Sequence, residues 1–312
     1  MANNNNNNNS NSAISNNGSW SNESPSSSIN SISGVIELTL FSLTIILSCF
    51  YIILILIRPT LRNNKLNWFT INICMTIIVL SIFLLMMTVK QMLNTSSSVP
   101  CRLEGFLVAM AACQMMYSHG VAAFSRMLTI IYASKHIFRS NICLWSCIGF
   151  GWLFSIVIAL PYLFLDGFTC STSTTRTFLS YYTLFSVLLL PAMIVGFCNG
   201  RVFLFVCKST RQVHAQGSSG KVSHERDVRL LEIMIVTFTI FFAGWTPVLL
   251  TQTFGNSNSL PTVIGACLQV LPSSTVFFDV ACLIYTNQPV RRFLKQLIVR
   301  HPRNALVSNT LR

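Results

Sequence analysis

Residues 35–57 read VIELTLFSLTIILSCFYIILILI, a run of aliphatic and aromatic residues whose one charge, Glu37, lies near its start. Wound as a helix at 1.5 Å per residue, such a run reaches about 35 Å, enough to cross a hydrocarbon layer of ~30 Å. Six more runs of this kind follow: Leu66–Met92, Leu103–Tyr132, Ile142–Leu165, Phe178–Val206, Leu230–Thr253 and Pro261–Tyr285. Lipid offers no partner to a backbone amide, so only helices and closed barrels can span it. None of the runs alternates with period two, so all seven are expected to be helices.

The composition of the whole 312-residue chain agrees. Charged residues make up 9% and hydrophobic residues 52%, with a mean hydropathy of +0.59. A soluble domain carries ~25% charge, and 29 charges would not cover the surface of a soluble protein of this size. The net charge of +13 therefore speaks for topology rather than for a nucleic-acid partner. With the N-terminus outside, eighteen of the 21 Lys and Arg fall on the inner side, against Lys90, Arg102 and Arg176 outside. That asymmetry is the positive-inside pattern. It leaves four of the eight acids outside or near that edge, three on the inner side and one, Asp279, deep in a span. An intramembrane acid is expensive and is expected to be paired or functional.

Three parts are expected. Residues 1–33, with Asn3 to Asn9 all asparagine, form a disordered extracellular Asn/Ser-rich tail. Asn8, Asn17 and Asn22 each open an Asn-x-Ser sequon there. Residues 34–285 form the seven-helix domain. Residues 286–312 form a short amphipathic eighth helix and a cytoplasmic tail.

Particular residues sharpen this reading. Arg126 follows Cys101 by 25 residues, at the inner end of the third run. Trp152 is followed by Pro161, Pro191 lies in the fifth run, and Phe241, Trp245 and Pro247 spell F-x-x-x-W-x-P in the sixth. With seven helices and an outer cysteine pair, the chain resembles the rhodopsin-like (class A) G-protein-coupled receptors from Gly34 to about Val299. The resemblance implies an all-α seven-transmembrane bundle and a plasma-membrane receptor. Its partners would be an extracellular ligand, the lipid bilayer and a heterotrimeric G protein on the cytoplasmic face. It also implies a disulfide between Cys101 and Cys170, and a switch made of Arg126, Asp227, Phe241, Trp245, Pro247 and Asp279. Asp227, 20 residues before Pro247, is expected to hold Arg126 in the resting state, because the triplet Ser125-Arg126-Met127 supplies no acid of its own. An Arg–carboxylate pair of this kind is a natural two-state latch.

The departures from the family matter as much. Ile77 stands where the second helix usually has an Asp, so no sodium ion is expected there, and no metal or cofactor is implied elsewhere. Asn199 replaces a Tyr of the fifth helix. The seventh helix has no Asn-Pro-x-x-Tyr. Asp279-Val280-Ala281-Cys282-Leu283 aligns to it, or else Tyr285 is the motif's Tyr, and the first register is preferred. His119, two turns before Arg126, is a candidate partner for Asp279.

By alignment the ligand cavity is walled by Val108, Ala112, Thr183, Trp245, Gln269 and Ser273, with Glu104 as an anion near its mouth. Val108 occupies the place where amine receptors carry an Asp, so a peptide or a small neutral molecule is the expected ligand. The seventh helix has no Lys for a retinal Schiff base. No H-E-x-x-H and no second intramembrane Asp supports an enzyme, and the chain is expected not to be one. One Asp and one His make a thin relay for the alternative, a transporter or channel.

Overall fold

The computed structural model describes residues 25–62, 65–93, 100–132, 140–165, 173–213, 221–254, 261–287, 290–293 and 296. Seven helices in it are long and apolar enough to cross a membrane. They are α1 (Pro25–Ile57), α2 (Lys65–Leu93), α3 (Cys101–Ile131), α4 (Asn141–Ala159), α5 (Ser173–Thr183, continuing through Leu184–Leu189 and Leu190–Val213), α6 (Lys221–Phe254) and α7 (Thr262–Thr286). Their packing order runs around the bundle, with α1 against α2 and α7, α6 against α7, and α5 touching α6. α3 passes through the middle, touching α2, α4, α5 and α6. It is also the most buried of the seven.

Local chemistry explains the breaks. Ser140 caps α4 by accepting the Cys143 N–H at 3.1 Å, satisfying one of the amides a helix start leaves open. α4 ends at Leu160, because Pro161 has no N–H to continue it; a short turn, Pro161–Phe164, follows. In α5 the stretch Leu184–Leu189 is wound as a π-helix. Pro191 follows, and in that register its missing amide would have bonded the Ser186 carbonyl five residues back. The Tyr117 hydroxyl of α3 donates to that carbonyl at 2.8 Å. Ser and Thr elsewhere fit lipid by donating to carbonyls of their own helix, as Thr44 does to Leu40 at 2.7 Å and Thr239 to Ile235 at 2.7 Å.

One boundary differs from the sequence reading. α1 starts at Pro25, inside the segment read as a disordered tail ending at residue 33, because Ser-rich polar residues continue a helix once the apolar run has nucleated it. As a result Glu37 is not an edge residue. It is 5% exposed, a second buried acid beside Asp279. Beyond α7, Val290 is buried and the Arg58 guanidinium lies 4.1 Å from the centre of the Phe293 ring. Of the segment 286–312, residues 286–287, 290–293 and 296 are described.

Candidate functional site

The centre of the bundle is built on α3, α6 and α7. Trp245 stacks on Phe241 with ring centres 5.4 Å apart. Phe241 is almost fully buried and lies 6.4 Å from the His119 ring, as does Phe238. His119 Nε2 lies 3.3 Å from Asp279 Oδ2, and both side chains are sealed from solvent, at 2% and 0% exposure. The pair is within ion-pair range, although neither group has a partner in hydrogen-bond alignment. A continuous line of contacts therefore runs from Trp245 through Phe241 and His119 to Asp279. Pro247 lies inside α6 one half-turn above Trp245, and Pro272 lies inside α7. Each removes an amide and frees the carbonyl four residues back, at Ala243 and Leu268.

The register of α7 follows from what faces inward. Asp279 and Val280 are fully buried and Leu283 nearly so, whereas Tyr285 is 70% exposed. Tyr285 instead lies 5.7 Å from the Arg291 guanidinium. The inward face thus belongs to the Asp279 register. Ile77, where the family's Asp is missing, is packed in the apolar core.

The other candidates separate into groups. On the α4–α5 side, Thr183 pairs with the Tyr162 hydroxyl and also donates to Leu179 O at 2.6 Å. On α7, Ser273 is buried and donates to Val270 O at 2.7 Å. Gln269 of α7 stands beside Glu37 of α1. Ala112 is buried, Val108 is half-buried, and the buried Trp245 indole N–H has no partner. Glu104 is not an unclaimed anion: Lys90 Nζ donates to its Oε2 at 3.0 Å, both groups partly exposed. Arg126 is half-buried near the C-terminal end of α3. Asp227 falls within α6, but its side chain lies outside the described residues, as do the Cys101 side chain, Cys170, Asn8, Asn17 and Asn22.

Two polar arrangements escaped the sequence reading. Thr88 of α2 donates to Glu37 Oε2 at 2.9 Å, while Glu37 Oε1 is buried with no hydrogen-bond partner. At the other end, Asn287 Nδ2 donates to the Tyr51 hydroxyl at 2.7 Å and reaches Asn67 Oδ1 at 3.4 Å. Asn67 in turn donates to Leu61 O at 2.7 Å. This ties α1, α2 and the end of α7 together. A polar residue just past an apolar run reads as loop, which hid Asn287. The landmark Trp152 ties α4 to α2, its indole donating to Asn72 Oδ1 at 3.0 Å.

Compared with known proteins, residues 31–289 match the profile of the 7 transmembrane receptor (rhodopsin family). The chain is 21% identical over 214 residues to the blue-sensitive opsin of Psalidodon fasciatus, covering 64% of this chain and 60% of that protein. It is 23% identical over 213 residues to melatonin receptor type 1A of Gallus gallus, covering 62% and 59%. The chain thus spans about three fifths of the length of these curated relatives. Among solved structures, squid rhodopsin superposes with a TM-score of 0.72 at 19% identity, covering 87% of this chain and 85% of that one. That likeness carries the fold, and the profile match across most of the sequence carries the family: the chain belongs to the rhodopsin family of seven-transmembrane receptors, multi-pass proteins of the plasma membrane.

Proposed function

We propose that this receptor binds an extracellular ligand, a peptide or a small neutral molecule, and activates a heterotrimeric G protein. The observation that carries the reading is the contact line Trp245–Phe241–His119–Asp279. It links α6, with Pro247 inside it under the aligned cavity, to α3 and α7, two turns of α3 before Arg126. A ligand that prefers one arrangement of Trp245 shifts the bundle by its differential affinity for the two states. The N-terminal tail lies outside in this reading and is glycosylated at Asn8, Asn17 or Asn22, and a Cys101–Cys170 bridge tethers α3 to the second outer loop. α7 carries no lysine, so light reception through a Schiff base on that helix is not part of the proposal. Arg126, released from Asp227, lines the docking site of a Gα C-terminal helix.

The test is GTP exchange on Gα subunits in membranes containing the receptor, challenged with pooled peptides, lipids and small metabolites. Ligand-dependent exchange is the expected result, and solute or ion flux without exchange would return the reading to a transporter or channel. Asp227→Ala is expected to raise basal exchange severalfold at equal surface expression, by removing the acid that holds Arg126. Unchanged basal exchange would count against the latch.

A further inference from the structure

Glu37 has no place in the switch or among the aligned cavity walls, yet its position is costly. It lies within the Ser31–Ile57 span and is 5% exposed. One carboxylate oxygen accepts the Thr88 hydroxyl; the other is buried with Gln269 beside it but no partner in hydrogen-bond alignment. Native interiors leave few such atoms unmatched, and each one asks for a partner. Inside lipid the demand is greater, because no water stands by to answer it.

Position supplies the rest. Glu37 lies six residues in from the span start at Ser31, Thr88 five before the end of its span at Leu93, and Gln269 six after the start at Val263. At 1.5 Å per residue, all three lie roughly 8–9 Å below the same end of the bundle. That end is the one the proposed topology places outside. Thr88 and Gln269 are the polar side chains placed beside the carboxyl. The nearby outer cation, Lys90, is taken by Glu104. Gln269, which the alignment makes a wall of the ligand cavity, stands beside the carboxylate.

We propose that Glu37, Thr88 and Gln269 form a subsite between α1, α2 and α7 that takes the cationic group, ammonium or guanidinium, of the extracellular ligand. This rests on the receptor reading and narrows it. The acid missing from α3 at Val108 is supplied from α1, and a peptide with a basic side chain or N-terminal amine is favoured over a neutral molecule. A guanidinium would donate to Oε1 while Oε2 keeps the Thr88 hydroxyl, and the Gln269 carbonyl oxygen would accept another of its N–H groups.

The experiment measures the melting temperature of the full-length receptor in lipid nanodiscs with N-acetyl-arginine amide or N-acetyl-citrulline amide. The two probes have nearly the same shape and differ by one charge. A ligand that binds only the folded state raises the melting temperature. The arginine probe is expected to raise it by several degrees in the wild type, and the citrulline probe to leave it unchanged. Glu37→Gln, which keeps an acceptor for Thr88, is expected to abolish the difference, and Glu37→Asp to keep it in weaker form. Equal behaviour of the two probes on the wild type would overturn the proposal without any variant, as would an undiminished arginine effect in Glu37→Gln. Melting is read without a G protein, so absent GTP exchange with an intact arginine effect would sink the coupling reading and leave the subsite standing.

Discussion

His119→Leu alone is expected to strip the receptor of most of its stability, whereas His119→Leu combined with Asp279→Val is expected to recover it. The reason lies in what each change leaves behind. Asp279 has no exposure, and among the described residues His119 is the one group within ion-pair range of it. Removing the imidazole leaves the Asp279 carboxyl group without its neighbour in an apolar core, and breaking a buried pair costs up to about 3–5 kcal/mol. Asp279→Val leaves the imidazole unpaired in turn, a buried polar group without a partner, at a cost of about 1–3 kcal/mol. Replacing both by apolar residues of similar volume removes the desolvation problem and is often neutral. The two effects are therefore strongly non-additive, and a double-mutant cycle on melting in nanodiscs measures the coupling. Additive losses would mean that the 3.3 Å approach carries no energy. The double variant should also separate folding from switching. It loses the polar tether between α3 and α7, so its basal GTP exchange is expected to rise although its melting temperature recovers.

That pair also marks the boundary of what the sequence makes legible. The seven spans follow from run length alone, since a lipid-crossing helix needs ~20 apolar residues wherever it points. Trp152, Pro191 and Pro247 are visible because a helix kink or an indole has few substitutes. The His119–Asp279 contact joins residues 160 positions apart, and only the family register placed them on facing helices. Which way a span faces is the harder question. A helix apolar on all sides has no stripe to show its buried face, and membrane helices associate through fit rather than through hydrophobicity. Glu37 illustrates the loss. Placed two residues into a run that starts at Val35, it reads as an edge charge, but the helix reaches back to Pro25 and the residue moves inside. Glu104 shows the converse: its partner Lys90 is on another helix, and nothing in either segment announces the pairing.

Gly244→Ala is expected to be the most damaging single-methyl addition in the bundle. Gly244 lies on α6 next to Trp245 and three residues before Pro247, where α6 packs on α7. A Cβ built there runs into the Thr275 methyl and meets the Thr275 Cβ and Oγ1 at 2.8 Å. Thr275 cannot swing away. It is β-branched, which restricts its rotamer in a helix, and its hydroxyl donates to Pro272 O at 2.9 Å. The backbones must part instead, and overpacking of this kind costs about 1–3 kcal/mol. The contact predicts a graded rescue. Thr275→Ala removes the methyl and hydroxyl but leaves the Cβ, so Gly244→Ala/Thr275→Ala should recover only part of the lost melting temperature. Gly244→Ala/Thr275→Gly removes the three nearest opposing atoms and should recover more, less the ~1 kcal/mol that a helical glycine costs. Gly200→Ala and Gly265→Ala serve as controls, since nothing lies within 4 Å of their added Cβ, and neither should melt earlier than wild type. If Gly244→Ala melts like these controls, α6 and α7 are not in the close register described. If it melts early and both Thr275 variants fail to help, the damage lies in the kink at Pro247 rather than in the helix contact. The expected order, worst for the single variant and best with Thr275→Gly, would tie the approach of α6 to α7 to one side chain, next to the proposed switch residue Trp245.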